Sequence, residues 1–145
     1  MSAPKTILVV DDDKDLVRSV ETFLTARNYH VVTAANGTEA RAWLADHRPD
    51  LIVLDIMMDH DAEGFNLAFK LKADDATRTI PIVILSGFMS HLESKYSSFE
   101  FIQSRDWPAA KFFDKPVKLG ELADSIGKLI AEAEALRQVL ADAAV

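Results

Sequence analysis

Four short apolar runs, each ending in a polar or charged residue, constrain this chain more than any other feature of its sequence. The most informative is Asp50-Leu51-Ile52-Val53-Leu54-Asp55. It has no polar–apolar alternation, so it reads as a strand buried on both faces. Its last residue then stands at the carboxyl end of the strand, the edge at which open α/β sheets place their ligands. Ile7-Leu8-Val9-Val10 likewise runs into Asp11-Asp12-Asp13, and Pro81-Ile82-Val83-Ile84-Leu85 runs into Ser86-Gly87. The shorter Lys111-Phe112-Phe113 runs into Asp114-Lys115-Pro116. Acids, a hydroxyl and a lysine therefore gather on one edge.

Helical segments separate these runs. Lys14 to Arg27 carries Leu16, Val17, Val20, Phe23 and Leu24 at helical spacing, with Asp12 or Asp13 as the cap. Tyr29 to Ala34 reads as a second strand, and Asn36-Gly37 as a turn before a short helix over 38–46 carrying Ala42, Trp43 and Leu44. Asp59 to Gly64 reads as a loop, followed by a helix over 65–72. A helix is expected over 91–104, and a long one from about Lys118 to the C-terminus. Alternation of this kind predicts a parallel sheet with helices on both faces. The order 2-1-3-4-5, flavodoxin-like, brings Asp11, Asp12 and Asp55 to one crevice.

Composition narrows the function classes. A chain of 145 residues with 49% hydrophobic and 27% charged residues suits one domain with a real core. The net charge of -7 argues against non-specific nucleic-acid binding and favours cations. With no cysteine, disulfides, thiol catalysis and thiolate metal sites are excluded. Neither a signal peptide nor a membrane-length apolar run is visible, so a cytoplasmic protein is expected. The four histidines show no ligand spacing.

Carboxylates crowded together repel by roughly 4 kcal/mol per pair at 4 Å with an effective dielectric near 20. A hard dication offsets that repulsion, and Mg2+ takes one or two carboxylates with waters and phosphate oxygens. An ammonium adds charge for an anionic group, and a hydroxyl donates to a phosphoryl oxygen. These are the parts needed for phosphoryl transfer through an aspartyl phosphate.

Taken together, these motifs resemble the receiver domain of two-component response regulators. Ile7 to Asp12 is similar to that family's first strand and acidic pair, and Leu51 to Met58 to its phospho-acceptor strand. Ser86 falls at the hydroxyl position, Phe112 at the aromatic switch position, and Lys115-Pro116 at the lysine-proline pair. The resemblance covers about residues 5–131 and implies a (βα)5 receiver fold. It also implies that Asp55 accepts a phosphoryl group from a sensor histidine kinase, a histidine phosphotransfer protein or a small phosphodonor. Asp11, Asp12, Asp55 and the backbone carbonyl of Met57 would hold Mg2+, with Mn2+ as a substitute. Lys115 and Ser86 would bind phosphate oxygens, and Phe112 would turn inward with Ser86. The Lys115–Pro116 bond would be cis. A downstream protein would then read the face made by the helix over 91–104, the fifth strand and the last helix. No nucleic-acid or membrane partner is implied.

The chain departs from that family in three places. The stretch from Asp59 to Gly64 is one residue longer than usual and rich in acid. The segment from Ser86 to Lys115 is also longer and carries Phe88, Tyr96, Phe99, Phe101 and Trp107. Finally, Leu119, Leu122, Ile126, Leu129, Ala133, Leu136, Leu140 and Ala143 follow a 3-4 heptad spacing beyond the usual end of the last helix. The expected division is therefore a receiver over 1–131 and a helical extension over 132–145. That extension is a coiled-coil arm of a homodimer, or packs on its own chain, or frays. Two other functions stay open. One is a degenerate receiver that binds or dimerises without phosphorylation. The other is a phosphohydrolase of the haloacid-dehalogenase type, whose Asp-x-Asp spacing is present in Asp11-Asp12-Asp13.

Overall fold

The computed structural model describes residues 3–55, 63–86 and 109–143, with the backbone alone for Glu63, Phe65 and Ser86. The strands are β1 (Thr6–Val10), β2 (His30–Ala34), β3 (Leu51–Asp55), β4 (Ile82–Ser86) and β5 (Lys111–Asp114). The described helices are α1 (Lys14–Thr25), α2 (Gly37–Leu44), α3 (Glu63–Ala73) and, at the C-terminal end, α4 (Leu119–Ala143). All strand pairs are parallel, in the order β2-β1-β3-β4-β5, as the alternation predicts.

Alternating side chains explain why the strands are apolar throughout. Leu8, Val10, Ile52, Leu54, Ile82 and Ile84 point to one face and meet Ala40, Leu67, Ala68 and Leu71 of α2 and α3. Ile7, Val9, Leu51, Val53, Val83 and Leu85 point to the other and meet Val20 and Leu24 of α1 and Leu122, Ile126 and Ile130 of α4. The strand that most shaped the sequence reading, β3, is buried at every position.

The ends of the elements are fixed by polar side chains. Asp13, rather than Asp12, caps α1: its Oδ1 accepts from the Asp15 and Leu16 amides at 3.1 and 3.2 Å. Asn36 caps α2 by accepting from the Glu39 amide, and Glu39 accepts in return from the Ala35 amide. Asn28, at φ 70°, takes the left-handed turn between α1 and β2. Asp50 anchors the start of β1 beside β3, accepting from the Thr6 amide at 2.8 Å.

Three sequence expectations are corrected. Helix α2 spans Gly37–Leu44 rather than 38–46; Gly37 and Ala40 are buried, Trp43 and Leu44 pack half-buried on the core, and Ala42 is exposed. Glu63 and Gly64, expected in a loop, begin α3. Helix α1 stops at Thr25, two residues before Arg27, at the turn completed by Asn28. The expected helix over 91–104 and most of the acidic stretch, 59–62, lie outside the described residues.

Burial predicts where the stability resides. Leu54→Ala, at a fully buried position of the central strand, should cost about 2–5 kcal/mol in urea denaturation. Phe69→Ala, at a side chain 47% exposed, should cost less than about 1 kcal/mol. Equal costs would contradict this assignment of the core.

Candidate functional site: an acidic crevice at the sheet edge

The carboxyl ends of β1 and β3 lie side by side, with Val10 opposite Leu54. This pairing brings Asp11, Asp12 and Asp55 together, with one carboxylate oxygen from each lying within 4.8 Å of the others. Asp11 and Asp55 are buried, at 3% and 5% exposure, while Asp12 is exposed. Asp11 is oriented by its own turn: its Oδ1 accepts from the Asp13 amide at 3.0 Å, and its amide donates to the Ala34 carbonyl at 3.1 Å. The residues that cap α1 therefore also aim Asp11 into the crevice.

Lys115 enters from the end of β5, where its peptide bond to Pro116 is cis. Its Nζ stands 2.9 Å from Asp11 Oδ2 and 3.3 Å from Asp55 Oδ2. Asp11 Oδ2 is buried and accepts no well-aligned hydrogen bond, so its contact with the ammonium is electrostatic. Burial pushes the Lys115 pKa down, but the Asp11 and Asp55 carboxylates together outweigh it and hold the value above that of an ordinary lysine. One formal positive charge faces three negative ones, and carboxylate oxygens within 4.8 Å of one another repel by at least roughly 3 kcal/mol per pair at an effective dielectric near 20.

The donor set fits a hard divalent cation. It is all oxygen, it carries excess negative charge, and its exposed member, Asp12, leaves one side open to water. No cysteine or histidine belongs to the described cluster, so a soft metal has no preferred ligand there.

The remaining predicted residues fall at different distances from this cluster. Ser86 ends β4, its backbone in register with Asp114, one residue before Lys115. Phe112 is half-buried and packs on the α2–α3 side of the sheet. Met57 lies outside the described residues. Sequence reasoning did not single out a cleft of about 270 Å³ next to Asp11, lined by Lys14, Val17, Arg18 and Glu21 of α1 and by Thr33 to Ala35. Its signal in the sequence is the i, i+4 pair Lys14 and Arg18 directly after the acidic run.

The Lys115 geometry sets a testable balance. Because its pKa is raised on folding, its stabilising contribution is complete below the ordinary lysine value of 10.5 and is lost as pH rises through the folded value. Lys115→Met should lower stability at neutral pH by about 1–3 kcal/mol, less than for a fully buried pair because the side chain is 23% exposed. It should also flatten the alkaline loss of stability, and added Mg2+ should recover part of the deficit. Urea denaturation across pH, with and without Mg2+, checks this; a variant as stable as the wild type would refute it.

Comparison with known proteins agrees with this geometry. The family model described as "Response regulator receiver domain" matches residues 7–127. The response regulator PleD of Caulobacter vibrioides is 40% identical over 111 residues, covering 77% of this chain but 23% of PleD, so the chain spans less than a quarter of that relative. Protein PilG of Pseudomonas aeruginosa is 31% identical over 120 residues, which is 83% of each chain. Among solved structures, a CheY-like response regulator receiver domain protein from Methanospirillum hungatei superposes with a TM-score of 0.75 at 27% identity, covering 91% of this chain and 98% of that one. The chain belongs to the response regulator receiver family.

Proposed function

We propose that this chain is a phospho-accepting switch in which Asp55 takes the phosphoryl group. The observation that carries the proposal is the position of Asp55. It is buried at the carboxyl end of the central strand, 3.3 Å from an ammonium and beside two further carboxylates. An Asp55 carboxylate oxygen attacks phosphorus as the bond from phosphorus to the donor nitrogen or oxygen breaks. The donor is the phosphohistidine of a sensor kinase or phosphotransfer protein, or a small acyl phosphate. Lys115 leaves Asp11 and turns to the new phosphoryl oxygens, to which Ser86 also donates. Asp11, Asp12 and Asp55, with the carbonyl of Met57, would hold Mg2+, or Mn2+ in its place, and the ion would supply positive charge against the phosphoryl oxygens.

The phosphoryl group adds about -1.5 to -2 charges and strong acceptors at one sheet edge. It shifts a pre-existing equilibrium rather than creating a new state. Phe112, half-buried on the α2–α3 side of the sheet, is the residue proposed to repack, and a protein that reads the neighbouring surface is the proposed output. Lys14 and Arg18 beside the crevice suit the approach of a phosphorylated donor protein. The chain acts as a regulatory acceptor rather than as an enzyme on a separate substrate. The cytoplasm is its proposed location; among the described residues no helix is long and apolar enough to cross a membrane.

Intact mass after incubation with Mg2+ and acetyl phosphate tests this reading. The wild type should gain one phosphoryl adduct, and Asp55→Asn none. Omission of Mg2+ should suppress the adduct. A folded wild type that gains none, with a kinase also tried as donor, would leave the non-phosphorylated binding module as the function. Hydrolysis of a generic phosphate ester that survives Asp55→Asn but not Asp11→Asn would instead assign a phosphohydrolase.

A further inference from the structure

Helices α2 and α3 lie side by side on one face of the sheet and leave a cleft of about 230 Å³ between their C-terminal halves. Helical spacing builds its two walls. Arg41, Leu44 and Ala45 fall at i, i+3 and i+4 along α2 and its C-cap, and Leu67, Lys70, Leu71 and Asp74 at i, i+3, i+4 and i+7 along α3 and just beyond it. Leu44, Leu67 and Leu71 make an apolar floor, to which Ala45 adds only a methyl group. The walls are tied together, since Arg48 Nη2 donates to Thr79 Oγ1 at 2.8 Å and joins the loop after α2 to the loop after α3. At one end of the cleft the polar groups are satisfied within the chain. Thr77 Oγ1 donates to the Leu71 carbonyl at 2.6 Å, and Asp74 Oδ1 accepts from the Ala76 amide at 2.9 Å. The cations differ: among the described residues, the Arg41 and Lys70 side chains have no ion-pair or hydrogen-bond partner.

We propose that this cleft docks an acidic amphipathic helix of a partner protein. Size, shape and charge identify the occupant. The volume lies below the roughly 300–1,000 Å³ of pockets that enclose a small molecule, so the cleft takes one or two apolar side chains of a larger partner. Its walls are two helices, and the groove between their ridges receives a third helix by its apolar face. Charge sets the sign. The chain carries -7 overall, yet here Arg41 and Lys70 stand on opposite walls of an apolar floor. The one acid that lines the cleft, Asp74, is engaged by its own loop. Carboxylates on both flanks of the docked helix pair with the two cations. A cation near a helix C-terminus also complements the dipole, but that effect is indifferent to which side of the helix carries it. The cleft stands beside the amino-terminal ends of β3 and β4, at the opposite edge of the sheet from Asp55. A docked partner therefore leaves the acidic crevice open, and the proposal does not rest on phosphorylation.

Nuclear magnetic resonance titration of the full chain with two synthetic amphipathic helices tests the proposal. Both peptides carry leucine on one face; one has glutamate along its flanks and the other lysine. The glutamate peptide should shift the amides of residues 41–45 and 67–77, and the lysine peptide should not. Arg41→Glu and Lys70→Glu should each raise the dissociation constant about tenfold, and the chain carrying both should prefer the lysine peptide. Ala45→Phe, at an exposed position, should fill the cleft and abolish binding. Each variant should keep the circular dichroism spectrum of the wild type. A glutamate peptide that leaves the cleft amides unmoved would overturn the proposal, as would an affinity indifferent to the charge reversals or to Ala45→Phe. Octanoate that shifts the same amides where the glutamate peptide does not would assign the cleft to a small carboxylate. Shifts that grow with protein concentration alone would assign it to a second copy of the chain. Either of these results would also overturn the proposal.

Discussion

Three carboxylates face one ammonium at the edge of a parallel sheet, and the rest of the molecule is arranged around that imbalance. Asp11 and Asp55 are buried at the ends of adjacent strands, where their separation is fixed by the β1–β3 register. Neither can move away without breaking ladder hydrogen bonds. Lys115 offsets part of the repulsion by bridging both acids, so in this state it acts as an internal counter-ion. A buried ion pair with surplus negative charge is a poor source of stability, since desolvation consumes much of the Coulomb attraction. It is a good receptor for a charge change, because any group that alters the number of anions or cations in the crevice alters the balance by several kcal/mol. Stability must come from elsewhere, and the two apolar layers on either face of the sheet supply it.

That division of labour explains why so much of the fold was legible in the sequence. A strand buried on both faces must be apolar at every position, so β1, β3 and β4 stood out as runs without alternation. The polar residue that follows each run then marks the sheet edge, and Asp11, Asp55, Ser86 and Lys115 were found by that logic alone. Parallel connections through helices follow from the same alternation. The cis bond at Pro116 came from the family resemblance, whereas the meeting of Asp11, Asp12 and Asp55 followed from the strand order.

What the sequence did not convey has physical causes. The Lys115–Asp11 contact is shorter than the Lys115–Asp55 contact, and nothing in the spacing of the two acids ranks them; the ranking depends on how β5 delivers its last residue. The start of α2 was read one residue late because Gly37, taken as part of the turn, is its first residue, with Asn36 as its cap. The tie between Asp50 and the Thr6 amide joins residues 44 apart in the chain, a separation that local pattern does not encode. Lys14 and Arg18 lie one turn apart at the start of α1, and only the fold, by placing β2 beside them, makes them the wall of a cleft next to Asp11.

The last helix shows how one pattern can serve two environments. Its 3-4 spacing runs unbroken from Leu119 to Ala143, yet the early layers are core and the later ones are surface. A straight α-helix turns about 20° per heptad relative to a 3.5-residue repeat. Over the more than three heptads of α4, the apolar seam therefore rotates by about 70°. At Leu122 and Ile126 it faces the sheet, and by Leu136 and Leu140 it has swung off the body and into solvent. The ion pair of Lys5 with Glu134 sits where this hand-over occurs, holding the helix to the body on one side while the seam leaves on the other. A helix meant only to pack on its own sheet would need its apolar positions to follow a 3.6-residue period and would turn polar once the sheet ended. Retaining the strict heptad past that point leaves Leu136, Val139 and Leu140 in solvent, an exposure that the packing of the sheet does not require.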